Sequence, residues 1–199
     1  MASIAVIAGL GNPGSAYAHT RHNVGTWWVE SLAERYRIPL KLETRFKAQI
    51  GRGWIAGTQV RLLVPTTFMN DSGEAVAALC RFYKIEPAQL LVAYDEMAFE
   101  PGQVRLRTGG SDNGHNGIRS IVSCLGNQKG FHRLRIGVGH PGHKSKVTAY
   151  LTSQRPPAEQ RAAIEDAIDL PESVLRDLLA GEHQAAMNAL HAPRNEGRD

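Results

Sequence analysis

The apolar run Ile4–Gly9 stops abruptly at glycines, the pattern of a buried strand that ends in a tight turn. A polar loop follows to about Arg21. Trp27, Val29 and Leu32 then supply apolar positions for a helix predicted from Asn23 to Tyr36. Lys47–Ile50 and Trp54–Pro65 predict the two strands of a hairpin, with Gly51, Gly53 and Gly57 assigned to its turn. Val76, Leu79, Cys80 and Tyr83 give the next helix one apolar face, and Asp71 or Ser72 is expected to cap it. Glu74 stands where a capping box needs an acid. Past Pro87, the run Leu90–Tyr94 predicts a strand ending at Asp95-Glu96. Ile118, Ile121, Val122 and Leu125 predict a helix closed by Gly126. His132–Val138 alternates, with Leu134, Ile136 and Val138 on one face and Arg133 and Arg135 on the other. From Pro156 the pattern is helical to about His191, broken at Pro171 and Gly181, and Pro193–Asp199 reads as a frayed tail.

Strands alternating with helices predict an α/β fold. The expectation is one domain over residues 1–192, built as a three-layer αβα sandwich with a twisted, mixed, mostly parallel sheet, followed by a flexible tail over 193–199. Such sheets collect their ligands beyond the C-terminal ends of the strands. Gly9–Asn12, Pro65–Asn70 and Asp95 all lie just past predicted strands, so they are expected to converge.

No apolar run approaches the roughly 20 residues of a membrane span. The chain enters its first strand without a basic leader, so no secretory signal and a cytoplasmic location are expected. Cys80 and Cys124 fall on apolar helix faces and read as buried, reduced thiols. No exposed seam is evident, which predicts a monomer. The net charge is +4, but its distribution carries more information. Residues 105–146 hold eight basic residues against one acid, Asp112, a net +7, while the other fifteen basic and eighteen acidic residues make the remainder −3. A basic segment on a mildly acidic body points to a polyanionic partner, a nucleic acid or a phosphorylated ligand.

Gly9, Gly11 and Gly14 satisfy G-x-G-x-x-G after a strand, yet the context excludes a dinucleotide site. The helix should open at the third glycine and instead starts near Asn23, and the expected acid about 20 residues on is missing. A turn that exposes the Asn12 amide fits better. Gly109–Gly117, reading Gly-Gly-Ser-Asp-Asn-Gly-His-Asn-Gly, opens a helix. Its N–H groups and the Asn116 amide suit a phosphate or a carbonyl oxygen. His22 sits in a polar loop, and Asp95 ends a strand without a partner nearby in sequence. An aspartate bound to an imidazole fixes its tautomer, so that the other ring nitrogen can take a proton from water. There is no G-x-S-x-G, both cysteines read as buried, and His132, His140 and His143 lack ligand spacing for a metal. Water activated by His22 is the simplest hydrolytic chemistry available. Asn12, Asn70 and Asn116 supply neutral amide donors for a developing oxyanion or a peptide backbone.

These segments together resemble the bacterial-type peptidyl-tRNA hydrolase family. The similarity runs from Ile4 to about Tyr150 through Gly-Leu-Gly-Asn-Pro-Gly, Thr-Arg-His-Asn-Val-Gly, Pro-Thr-Thr-Phe-Met-Asn-Asp-Ser-Gly, Asp95-Glu96, Gly-His-Asn-Gly and Phe-His-Arg-Leu-Arg-Ile-Gly-Val-Gly-His-Pro-Gly. The resemblance implies hydrolysis of the ester between a peptide and the 3′ ribose of tRNA, which recycles tRNA from stalled translation, with no metal or organic cofactor. By motif match His22 is the base, Asp95 its partner, and Asn12 the group that separates blocked from free aminoacyl esters. Phe68, Met69, Asn70, His115 and Asn116 would hold the peptidyl and 3′-end portions, and Tyr17 the tRNA end. Arg107, Arg135 and Lys144 would meet tRNA phosphate. Ser111-Asp112-Asn113 stands where relatives carry more glycine, so Asp112 is expected to repel phosphate and the loop to be stiffer. The alternative reading is a non-catalytic RNA-binding protein on the same scaffold, and the retained His22, Asp95 and asparagines weigh against it. A second rival is a hydrolase of another, smaller acyl ester.

Overall fold

A computed structural model describes residues 2–192, so the tail reading at 193–199 falls outside the described residues. Among these residues, seven strands form one sheet: β1 Val6–Gly9, β2 Lys41–Glu43, β3 Ala48–Ile55, β4 Thr58–Pro65, β5 Leu90–Glu96, β6 Val104–Thr108 and β7 His132–Gly137. Their order is β2-β3-β4-β1-β5-β7-β6. The central strands β4, β1, β5 and β7 are parallel, whereas the edges are antiparallel: β2 and β3 on one side, β6 on the other. The sheet is therefore mixed, with its parallel pairings confined to the centre. Antiparallel neighbours can be joined by a two-residue turn, and Ala56-Gly57, both with positive φ, joins β3 to β4.

Seven helices of the described residues cover the two faces: α1 Val24–Arg35, α2 Ser72–Phe82, α3 Asn116–Cys124, α4 Val147–Thr152, α5 Ala158–Ile168, α6 Glu172–Ala180 and α7 His183–His191. Ile7 and Leu62 of the sheet pack with Trp28, Leu151, Ile164 and Leu175 on one face. Val6, Ala8 and Val92 pack with Leu79 and Ile121 of α2 and α3 on the other. Alternate residues of β1 thus feed two cores, which is why this strand reads as apolar throughout. The three layers follow directly.

Several local readings need revision. Gly51 and Gly53 lie inside β3 rather than in its turn, because Ile38 presses on the strand there. A Cβ at either position would come within 2.7 or 2.6 Å of Ile38 carbons. No side chain caps α2: a 3₁₀ turn, Met69–Asp71, feeds straight into it, and the Ser72 hydroxyl donates to the Met69 carbonyl at 2.7 Å. Glu74 pairs instead with Lys47. Cys80 is buried but Cys124 is only half-buried, and both are free thiols. β2, β6 and α4 have no counterpart in the hydrophobic pattern; each is short, and β2 is largely exposed.

The glycines of the first motif are there for contact. A Cβ on Gly9 would overlap the Gly25 carbonyl, one on Gly25 the Ala93 carbonyl, and one on Gly11 would sit 2.5 Å from the Thr26 hydroxyl. Their missing side chains let the start of α1 settle onto the ends of β1 and β5, two residues from Asp95. Gly25→Ala should gain helix propensity yet lose roughly 1–3 kcal/mol to this overlap, since the obstructing atoms are backbone. Chemical denaturation should show the loss together with a lower hydrolytic rate.

Candidate active site

The loops after β1 and β4, the end of β5 and the start of α3 meet at one cleft of about 870 Å³. Asn12, His22, Phe68, Met69, Asn70, Asp95, His115 and Asn116 all line it, as do Asn113 and His140. Strand direction explains the convergence, because parallel strands deliver their C-terminal loops to the same edge. α4 forms another wall through Val147, Thr148, Leu151 and Thr152.

Asp95, buried at the end of β5, is the hub. Both of its carboxylate oxygens lie 2.9 Å from Nδ1 of His22, and Oδ1 lies 2.8 Å from Nε2 of His115. The imidazoles sit 5.0 Å apart at 45°. His115 caps α3, its Nδ1 accepting from the Ile118 N–H at 3.3 Å. That nitrogen is therefore unprotonated, so Nε2 carries the proton donated to Asp95. His22 likewise donates from Nδ1, which leaves its Nε2 without a partner among the described residues, on the cleft wall. Both tautomers follow from the bonding partners.

Electrostatics agree with this arrangement. Burial works to raise the Asp95 pKa, but attraction to His22 and the hydrogen bonds donated by both imidazoles hold the carboxyl well below the usual carboxylate range. Burial works to lower the His22 pKa, yet the Asp95 charge and hydrogen bond prevail and raise it. His22, His115 and Asp95 offer ligand atoms within 4.8 Å of one another. The ring nitrogens involved, however, carry the protons that bind Asp95. The trio suits proton handling better than metal ligation.

Asn12 is oriented from three directions. Its backbone N–H donates to the Asn23 side-chain oxygen and its carbonyl accepts from the Asn23 amide, both at 2.9 Å. Its side-chain oxygen accepts from the Met69 N–H at 2.7 Å. The side-chain amide N–H groups of Asn12 have no partner among the described residues and are available to the cleft. Arg21 secures the opposite wall. Its buried guanidinium lies 3.8 Å over the Tyr150 ring and donates to the Tyr150 carbonyl and to Gln160. The roles of Asn23 and Arg21 are not readable in the sequence, although Thr-Arg-His-Asn stands out as a motif. Nor is the second grip of His115 on Asp95.

Tyr17 stands outside the cleft lining and meets Phe68 edge-on, with ring centroids 6.1 Å apart. Arg107, Arg135 and Lys144 also stand outside it. Arg107 lies beneath Gly110, Arg135 rests 4.8 Å from the Phe99 ring centre, and Lys144 is exposed just before α4. Arg133 is fully buried and holds the Ser111 and Gly110 carbonyls at 2.7 and 2.9 Å. One charge of the basic segment is therefore structural. Asp112 accepts from the Gly114 N–H at 2.7 Å and pairs with Arg119 at 3.4 Å. These contacts close the loop, and Arg119 offsets part of the Asp112 charge.

Residues 6–197 match the family model described as peptidyl-tRNA hydrolase. The chain belongs to the peptidyl-tRNA hydrolase family. A peptidyl-tRNA hydrolase of Pectobacterium carotovorum is 52 % identical over 192 residues, covering 96 % of this chain and 98 % of the relative. That of Acinetobacter baylyi is 50 % identical over the same length and coverage of both chains. The crystal structure of peptidyl-tRNA hydrolase from Acinetobacter baumannii matches with a TM-score of 0.90 at 46 % identity, covering 95 % of each chain. The similarity extends well past Tyr150, where the resemblance read from motifs stops, into the C-terminal helices. Among the described residues no helix is long and apolar enough to cross a membrane.

Proposed function

We propose that this cleft hydrolyses the ester joining a peptide to the 3′ ribose of tRNA, with His22 as base. The hydrogen bonds from Nδ1 of His22 to the Asp95 carboxylate carry the reading, because they turn the free Nε2 toward the cleft. Nε2 takes a proton from water as the water oxygen adds to the ester carbonyl. Asn12 donates to the oxygen that gains charge. The tetrahedral intermediate then expels the ribose oxygen, which receives the proton back from His22, giving a free peptide acid and a tRNA 3′ hydroxyl. The Asp95 charge stabilises the imidazolium between these transfers. His115 holds Asp95 from the far side.

Asn70, Asn116 and Phe68 border the cleft where the peptide and the terminal nucleotide would lie. Arg107, Arg135 and Lys144 lie outside it, which suits contacts to tRNA phosphate beyond the reacting end. The His22–Asp95–Asn12 set needs no residue from a second copy, which supports a monomer, and a substrate made during translation supports a cytoplasmic location. The retained base and oriented amide favour hydrolysis over RNA binding alone.

The test compares tRNA release from an N-acetylated aminoacyl-tRNA with release from the unblocked form, in EDTA. Rapid release from the blocked substrate alone is expected. The pair Arg107→Gln/Arg135→Gln should lose rate on tRNA but keep it on a short N-acyl ester, and its tRNA affinity should depend less steeply on salt. Equal losses on both substrates would overturn the phosphate assignment.

A further inference from the structure

Alternate residues of β3 and β4 face the α2 side of the sheet, where Ile50 and Leu63 enter the core. Further along the same face the residues become Arg52 and Trp54 on β3, opposite Arg61 and Gln59 on β4. Trp54 is 63 % exposed, and β2 pairs only with the first part of β3, so nothing from that strand covers it. The end of α2 extends the strip. Arg61 lies 3.6 Å from the Tyr83 ring centre, Tyr83 meets Phe82 edge-on at 4.9 Å, and Arg45 lies 4.4 Å from the ring centre of Phe82, itself 56 % exposed.

Arg45, Arg52 and Arg61 thus share this side of the sheet with Trp54, Phe82 and Tyr83; Arg45 also pairs with Glu43 at 3.6 Å, and Arg52 donates to Gln59 at 2.8 Å. The two exposed rings of this strip, Trp54 and Phe82, stand at separate points along it. Burial does not require either ring there, and isolated exposed aromatics would not explain the interposed guanidinium groups. Positive charge beside the exposed Trp54 and Phe82 rings is a chemistry that holds unpaired nucleic acid: bases stack on those two rings while the guanidiniums meet phosphate. The basic residues assigned above to tRNA phosphate lie on β6–β7 and beyond, at the opposite edge of the sheet.

We propose that this strip binds a single-stranded RNA segment distinct from the RNA whose 3′ end enters the cleft. An acidic protein could also use arginines and exposed rings; stacking sites spaced among cations favour RNA, and a polyanion without bases separates the two. The inference stands independently of the hydrolytic mechanism.

The test measures binding of a fluorescent, unstructured oligouridylate to the full chain. Trp54→Ala/Phe82→Ala should weaken it roughly tenfold or more, as expected when base stacking is removed. Hydrolysis of a short N-acyl ester should stay unchanged, which verifies the fold because both side chains lie outside the cleft. Arg45→Gln/Arg52→Gln should also weaken binding and make the salt dependence shallower, by roughly 0.7 in log–log slope for each phosphate no longer neutralised. Arg107→Gln/Arg135→Gln should bind the oligouridylate as the native chain does. Unchanged affinity in the Trp54/Phe82 variant, or a loss confined to the Arg107/Arg135 variant, would overturn the proposal. Equal affinity for a polyaspartate of matched charge would do so as well.

Discussion

His22→Ala is expected to lower kcat on an N-acetylated aminoacyl-tRNA by at least roughly 10²–10⁴-fold, the contribution typical of a positioned general base. No neighbouring group can replace it. Nε2 of His115 already donates to Asp95, and its Nδ1 caps α3. The fold should survive, because Asp95 keeps its bond to His115 when His22 is removed. tRNA affinity should change little, since the residues assigned to phosphate lie outside the cleft. Single-turnover rates alongside equilibrium binding of deacylated tRNA would separate the effects. A variant that bound tRNA and kept most of its rate would remove His22 from the mechanism.

Asp95→Asn should produce the second large loss, with a signature in the pH profile. In the native chain the His22 pKa lies above its ordinary 6.5, because Asp95 outweighs the opposing effect of burial. The base must be neutral to accept a proton, so kcat should rise with pH through a midpoint above 6.5. Without the carboxylate, burial acts alone and the midpoint should fall below 6.5. The rate on the plateau should also drop steeply, because the amide no longer enforces the Nδ1–H tautomer or stabilises the imidazolium. A variant with the native midpoint would show that Asp95 does not set the ionisation of the base.

The same pair shapes stability in the opposite sense. A raised histidine pKa contributes stability that is fully present below 6.5 and is lost as pH rises through the raised value. A lowered carboxyl pKa contributes stability present above 3.8 and lost as pH falls through the lowered value. The interaction therefore supports the fold most fully between these two pH values. Activity is expected to reach its plateau on the alkaline side of that range, where the base is free but its ion pair with Asp95 no longer contributes.

Much of this protein is legible without coordinates. The strand–glycine punctuation after Ile4, the strand ending at Asp95 and the helices broken at Pro171 and Gly181 follow from local periodicity and backbone chemistry, which act over a few residues. The same locality makes Asn12, His22, Asp95 and Asn116 recognisable, since each sits at the end of an element or in a polar loop with a chemically capable side chain. The family follows from the order of these short segments.

What only the tertiary structure decided depends on contacts between residues far apart in the chain. Gly51 and Gly53 read as turn because no local signal records the pressure of Ile38. His115 reads as a substrate contact alone because its second role depends on Asp95, twenty residues away on another element. Arg133 adds to a polyanion site by sequence, whereas burial ties it to the Gly110 and Ser111 carbonyls. The aromatic–arginine strip is invisible for the same reason. Its residues come from just before β3 and from its second half, from β4 and from the end of α2, within the part of the chain whose summed charge is acidic. Local sequence determines which elements form and which side chains can do chemistry. Only the sheet, by pairing distant strands, determines which of those side chains share a proton, a ring face or a cleft.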